Sequence, residues 1–173
     1  MGQELAFLTR HPADVARDLI GSRLVVDGKH HLLTELEAYG DVGEDPASHA
    51  FRGSTPRNQV MFERCGLLYV YFIYGMHWCA NIVSHEPGRA GAILIRATDQ
   101  VTGPARLCSQ SSITGADNGL DLLDPGSRVR LEIAVRPLPS IASPRVRISK
   151  GQEIPWRFVL DAHSAARGRD TAG

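Results

Sequence analysis

Residues 66–83 contain no Lys, Arg, Asp or Glu. So long an uncharged run must cross a membrane or be buried within a fold, and its length approaches that of a short membrane helix. Against a helix stand the break at Gly75, the polar His77 and Asn81, and the crowding of Tyr69, Tyr71 and Tyr74. A β-hairpin satisfies the pattern better, with apolar strands over 67–74 and 78–84. Two such strands need a larger sheet to cover them.

The rest of the chain supplies one. Residues 23–26 and 31–39 read as strands joined at Asp27-Gly28, a strong hairpin turn signal. In the second strand Leu33, Glu35, Glu37 and Tyr39 alternate with Leu32, Thr34, Leu36 and Ala38. Further strands are expected over 92–97, 129–136 and 145–149. Helices are expected over 12–20, where Val15/Leu19 and Ala16/Ile20 share faces and Gly21 suits a C-cap, and over 104–111. Residues 40–58 form a Gly-, Pro-, Asp- and Ser-rich loop, a length usual for functional or disordered segments. The Ala/Gly/Arg-rich end, from about 162 to 173, is expected to fray. Strands cluster rather than alternate with long helices, so the class expected is α+β with a largely antiparallel sheet in a single domain, 1–173.

Charge and cysteines bound the function. Nineteen Lys and Arg balance nineteen Asp and Glu, so the sum gives no pull toward nucleic acid. A nucleic-acid reading requires Arg52, Arg57, Arg145, Arg147 and Lys150 to gather on one face. Cys65, Cys79 and Cys108 show no zinc spacing, and two of the three sit in apolar surroundings and read as core thiols of a reducing compartment. Met1-Gly2-Gln3-Glu4-Leu5 has no signal-peptide character. A cytoplasmic monomer with no bound metal and no cofactor is expected.

Several residues are candidates to carry chemistry. Glu37, between Leu36 and Ala38, is either an edge carboxylate facing water or a buried one suited to proton transfer. Tyr74 precedes Gly75 near the hairpin tip, where a core ring has little to pack on and an exposed one can wedge between bases. Tyr71 would lie opposite Asn81 if the hairpin loop is Gly75-Met76-His77. His49 sits in the polar loop, and Arg52, Arg57 and Arg96 are either phosphate contacts or solvated. No GxGxxG, P-loop, GxSxG or HExxH occurs.

The motifs combine in a telling order. Val15-Ala16-Arg17-Asp18-Leu19-Ile20-Gly21 is followed by Glu35-Leu36-Glu37-Ala38-Tyr39, then His49, then Thr55-Pro56-Arg57-Asn58. The uncharged run itself reads Tyr69-Val70-Tyr71-Phe72-Ile73-Tyr74-Gly75-Met76, and Leu94-Ile95-Arg96-Ala97 comes after it. Over about residues 12–160 this resembles the alkyladenine (3-methyladenine) DNA glycosylase family. The resemblance implies a curved antiparallel sheet with flanking helices and a protruding hairpin. It implies a monofunctional enzyme of base excision repair that acts on damaged purines in double-stranded DNA. It assigns Glu37 as the general base and Arg96 to the neighbourhood of the attacking water. Tyr39, His49 and Tyr71 would hold the flipped base, Asn81 would screen its substituents, and Tyr74 would fill the gap in the duplex. Arg52 and Arg57 would meet the DNA backbone. One departure is Gly103-Pro104-Ala105-Arg106, where the family usually has Gly-Pro-Gly before its basic residue. A non-catalytic lesion binder would have no need of Glu37. An RNA-binding module would not need a wedge and a base-sized pocket together, and a metal hydrolase would need ligands that the spacing does not supply.

Overall fold

The computed structural model describes residues 2–170. Its elements are α1 (Gly2–Leu8), α2 (Pro12–Asp18), β1 (Arg23–Val26), β2 (Lys29–Tyr39), β3 (Leu68–Ile73), β4 (His77–Val83) and β5 (Ala92–Thr98). There follow α3 (Pro104–Gln110), β6 (Val129–Glu132), β7 (Ser140–Ser143), β8 (Arg157–Leu160) and α4 (Ala162–Asp170). The strands form one sheet in the order β3-β4-β5-β2-β1-β6, with β8 also on β2 and β7 on β8. Every pairing between these strands is antiparallel. The uncharged run is the β3–β4 hairpin, and no helix among the described residues is long and apolar enough to cross a membrane.

The curl of the sheet follows from β2. Its first residues pair with β1, while its last have β5 on one side and β8 on the other. The pairing with β5 shifts at Leu33/Glu35 and again at Glu35/Leu36. Such bulges bend a strand and swap its faces. Leu33, Leu36 and Ala38 therefore all enter the main core, although simple alternation put Leu33 with Glu37. That core joins α2 and α3 to Leu68, Val70, Ala80, Ile82, Ile93 and Ile95. Each large apolar side chain buried there contributes about 1.5–3 kcal/mol. Glu35, Glu37 and Tyr39 are left on the other face.

Several expectations are corrected. Residues 145–149 are not a strand: Arg147 takes a left-handed φ of 57° and breaks the extension. The strand that borders β2 is instead β8, partnered by β7, and β6 ends at Glu132 rather than 136. Helix α2 stops at Asp18, before Gly21 turns the chain at φ 94° toward β1. Within the segment from about 162 that is expected to fray, residues 162–170 form α4, and the Asp161 carboxylate accepts the His163 and Ser164 N–H groups and the Ser164 hydroxyl. This is N-capping by a carboxylate. Residues 171–173 lie outside the described residues.

The 40–58 loop is ordered from within. Asp45, fully buried, accepts the N–H groups of Gly40 and Ala47. Asn58 donates to the carbonyls of His49 and Gly53 and accepts from Thr55. A second small core of Ala50, Val60, Met61, Leu67, Tyr69 and Val83 lies with the loop.

His85, just beyond β4, gives the fold a pH dependence. Its two ring nitrogens face the carbonyl oxygens of Glu86 at 2.8 Å and Glu63 at 2.7 Å, and the Cys65 thiol donates to its own carbonyl at 3.3 Å. Both carbonyls accept only, so both nitrogens must carry protons. Burial opposes that charge, but Cys65 and the two carbonyls outweigh it and push the imidazole up to about 9. An unfolded histidine titrates near ~6.5. The stabilisation is therefore complete below that pH and is lost as pH rises through about 9. Between those limits the unfolding free energy is expected to drop by about 2 kcal/mol, discounted for solvent screening. His85→Gln should flatten the slope in urea titrations; an unchanged slope refutes the charged ring.

Candidate active site

The sheet registers align a row of side chains. Tyr69 pairs with Asn81, Asn81 with Leu94, Leu94 with Glu37, and Glu37 with Arg157. Directly paired residues share a face, so one surface carries all five. This is the face opposite the main core. It walls a cavity of about 690 Å³ lined by Tyr39, His49, Tyr71, Cys79, Asn81, Leu94 and Arg96. Residues 146–148 and the start of α3 with Arg106 also line it, and Tyr74 and His77 lie on it from the hairpin end.

Glu37 stands immediately behind this wall, with no exposed surface. A buried carboxylate is costly without donors, and Glu37 has three. Its Oε1 accepts the Val146 N–H at 2.8 Å. Its Oε2 accepts the Tyr39 hydroxyl at 2.9 Å and meets Arg96 Nη1 at 3.5 Å. All three donors belong to residues of the cavity lining. Arg96 is in turn held by Glu35, whose Oε1 accepts Arg96 Nε at 3.0 Å and Arg157 Nε at 2.7 Å.

The aromatic wall is neutral. Burial, and then the Glu37 charge, push the Tyr39 hydroxyl far above its ordinary value, and burial does the same to Tyr71. Tyr69 is pushed up to about 12, again by burial. Burial, reinforced by the Arg57 charge, holds the His49 imidazole below its usual value. His49 Nδ1 lies 3.0 Å from the Tyr69 hydroxyl, and its ring packs edge-on to Tyr71 at 4.6 Å between centroids. Electron-rich faces with little charge suit a flat, electron-poor ring.

The hairpin register differs from expectation. The loop is Tyr74-Gly75-Met76, both Tyr74 (φ 53°) and Gly75 (φ 66°) being left-handed, and Ile73 pairs with His77. Tyr71 therefore faces Cys79, and Asn81 faces Tyr69. The offset keeps parity, so Asn81 stays on the face of Tyr71, one pair along. Its Nδ2 donates to the Tyr69 carbonyl at 3.1 Å. Tyr74 is 72% exposed. Left-handed backbone is strained for a tyrosine, and here it forms the tight turn together with Gly75.

The basic residues divide. Arg52, Arg57 and Lys150 are exposed around a shallower hollow that shares His49 with the cavity. Arg57 also donates to the Phe72 carbonyl at 3.1 Å. Arg147 is exposed on the cavity lining. Arg145 is not on that face: it is buried, bonded to Asp45 at 2.6 and 2.8 Å and to the Ala38 and Gly151 carbonyls. Arginine in a sequence does not announce whether its partner is solvent or a buried aspartate 100 positions away. Also unforeseen were Val146, whose contribution is a backbone N–H with no side-chain signature, and the Glu35 and Arg157 pair. Among the described residues no three His, Cys, Asp or Glu side chains gather as a metal site would require.

Known proteins match most of the chain. The family model described as Methylpurine-DNA glycosylase (MPG) matches residues 6–102 and 98–164. The chain belongs to the methylpurine-DNA glycosylase family. Relatives bear the name "Putative 3-methyladenine DNA glycosylase". That of Rhodopseudomonas palustris (strain BisB18) is 41% identical over 90% of this chain and 85% of its own. That of Rhodococcus jostii (strain RHA1) is 41% identical over 86% and 77%. That of Nitrosospira multiformis is 36% identical over 92% and 91%. As a member of this family the protein is a DNA glycosylase, a DNA-repair enzyme whose substrate is DNA. The residue order Glu37, Tyr39, His49, Tyr71, Tyr74, Asn81, Arg96 thus lies within the matched segments.

Proposed function

We propose that the enzyme flips an alkylated or deaminated purine into the cavity and hydrolyses its N-glycosidic bond with water activated by Glu37. The observation that supports this best is the placement of a donor-held carboxylate behind an aromatic-walled cavity large enough to admit a base, with an exposed ring beside it. A base cannot be attacked inside the stack, so extrusion comes first. Tyr74 fills the gap in the duplex, and Arg52 and Arg57 hold backbone phosphates. Tyr39, His49 and Tyr71 flank the purine; stacking returns about 1–3 kcal/mol per base. The water oxygen then bonds to C1′ as the C1′–N bond breaks. The bond pair leaves with the base, and the water proton passes to Glu37. Among the described residues no lysine lines the cavity, which favours water over an imine-forming amine as the nucleophile.

Duplexes bearing single 3-methyladenine, 7-methylguanine, hypoxanthine or ethenoadenine lesions test the reading by release of the free base. Release from at least one, leaving an intact abasic strand, is expected. Binding without release from any would favour a lesion-binding protein.

Selectivity is assigned to Asn81. Guanine differs from hypoxanthine only in its 2-amino group. A pocket that leaves that donor unpaired disfavours it by roughly 1–3 kcal/mol, about tenfold to a hundredfold. With its Nδ2 tied to Tyr69, the Asn81 amide is held against the cavity. Asn81→Ser should raise guanine release relative to hypoxanthine release by about tenfold. Were Asn81 only a tie within the hairpin, both rates would fall together and their ratio would stay fixed.

A further inference from the structure

Glu37 is held tightly by Val146 and Tyr39 and loosely by Arg96, and the loose contact has a visible cause. Arg96 Nη1 stops 3.5 Å from Glu37 Oε2, while its Nε is engaged 3.0 Å from Glu35 Oε1. A free guanidinium beside a buried carboxylate would close into a two-pronged pair at about 2.7–2.9 Å. Glu35 and Arg96 are each about 15% exposed at the side chain, so their attraction is little screened. Arg157, opposite Glu37 in the register, adds a second cation on the same Glu35 oxygen and is steadied by Ser143 Oγ at 3.2 Å. Around Glu37, β2 thus contributes Glu35 and Tyr39, β5 contributes Arg96, and β8 contributes Arg157. The 145–147 segment contributes the Val146 N–H, the exposed Arg147 and the buried Arg145, the last neutralised by Asp45. Two carboxylates and two guanidinium groups form a balanced cluster.

We infer that Glu35 is a positioning residue that holds Arg96 back from Glu37, so that the carboxylate keeps a site for the attacking water and enough basicity to take its proton. This rests on the reading of Glu37 as the base. A carboxylate offers about four lone-pair sites. Val146 and Tyr39 use two, and a fully closed Arg96 would use the rest. Released from Glu35, Arg96 would favour the ionised, fully paired form of Glu37. Proton transfer to it would then be harder, and the acid limb of the rate profile would move to lower pH.

Single-turnover release of hypoxanthine from duplex, with enzyme in excess across pH 5–9, reads this directly. Glu35→Gln is expected to lower the plateau by about tenfold or more, to shift the acid limb downward, and to leave duplex affinity nearly unchanged. In an Arg96→Gln background, Glu35→Gln is expected to add nothing, because it acts through Arg96. An unchanged rate, an unmoved acid limb, or effects that simply add would each overturn the inference. Glu35→Asp, which withdraws the same charge by one methylene, takes its place in the cycle if the Gln variant does not fold. Glu37→Gln run in parallel separates the two readings. If Glu37→Gln is inactive and the Glu35 variants behave as the parent, only the positioning role falls. If Glu37→Gln remains active, the base assignment falls first.

Discussion

Glu37→Gln is expected to slow base release by about 10²–10⁴-fold, the range attributable to a positioned general base. The amide keeps the length and planarity of the side chain and loses the ability to accept a proton. The hydrogen bonds show why the variant should still fold. The three partners of Glu37 are donors: the Val146 N–H, the Tyr39 O–H and Arg96 Nη1. Glutamine brings one acceptor oxygen and one NH₂ group; with the NH₂ in the place of Oε2, the long Arg96 contact is lost and the Tyr39 donor must yield. Tyr39 can, because a hydroxyl rotates and accepts as readily as it donates. The cost is that of one rearranged hydrogen bond, about 1 kcal/mol. Binding to a hypoxanthine duplex should therefore survive while single-turnover release collapses. A release rate within a few-fold of the parent would remove Glu37 from the chemistry and leave it as a buried structural carboxylate.

The largest loss of stability is expected at Arg145. Its guanidinium and the Asp45 carboxylate are both fully buried, joined by two bonds of 2.6 and 2.8 Å. The same group stacks 4.9 Å from the Tyr39 ring and 5.4 Å from Trp156. Removing one member of such a pair strands the other charge away from water, at about 3–5 kcal/mol. Arg145→Met fills most of the volume and leaves Asp45 with only the Gly40 and Ala47 N–H groups. Typical domains are stable by about 5–15 kcal/mol, so this one substitution would bring the fold near its margin. Asp45→Asn combined with Arg145→Met should cost less than Arg145→Met alone, since no uncompensated charge remains. Urea midpoints for the single and double variants decide it, and a loss below about 1 kcal/mol for Arg145→Met would contradict the buried pair. The effect should reach the site as well. Arg145 ties the loop that carries His49 to the backbone that gives Glu37 its Val146 hydrogen bond, and it binds the Ala38 carbonyl beside Glu37.

Much of this site can be read from short-range pattern. The uncharged run with its central glycine specifies a hairpin, Asp27-Gly28 specifies the β1–β2 turn, and clustered strands specify an antiparallel α+β sheet. The motif order around Glu37, Tyr71 and Tyr74 names the family. These features are local: side-chain periodicity, turn residues and the absence of charge act within a few positions. The tertiary structure alone decided which partners meet. The bulge near Glu35 turned Leu33 inward and both carboxylates outward, the two left-handed residues of the hairpin loop set Asn81 against Tyr69, and Arg145 went to Asp45 rather than to the surface. The backbone of Val146 and the side chain of Arg157 reached Glu37 and Glu35 from more than a hundred residues away. A sequence records which groups can donate, accept or carry charge. Which of them lose water together depends on long-range pairing, because a buried charge takes whatever partner the folded chain brings within reach.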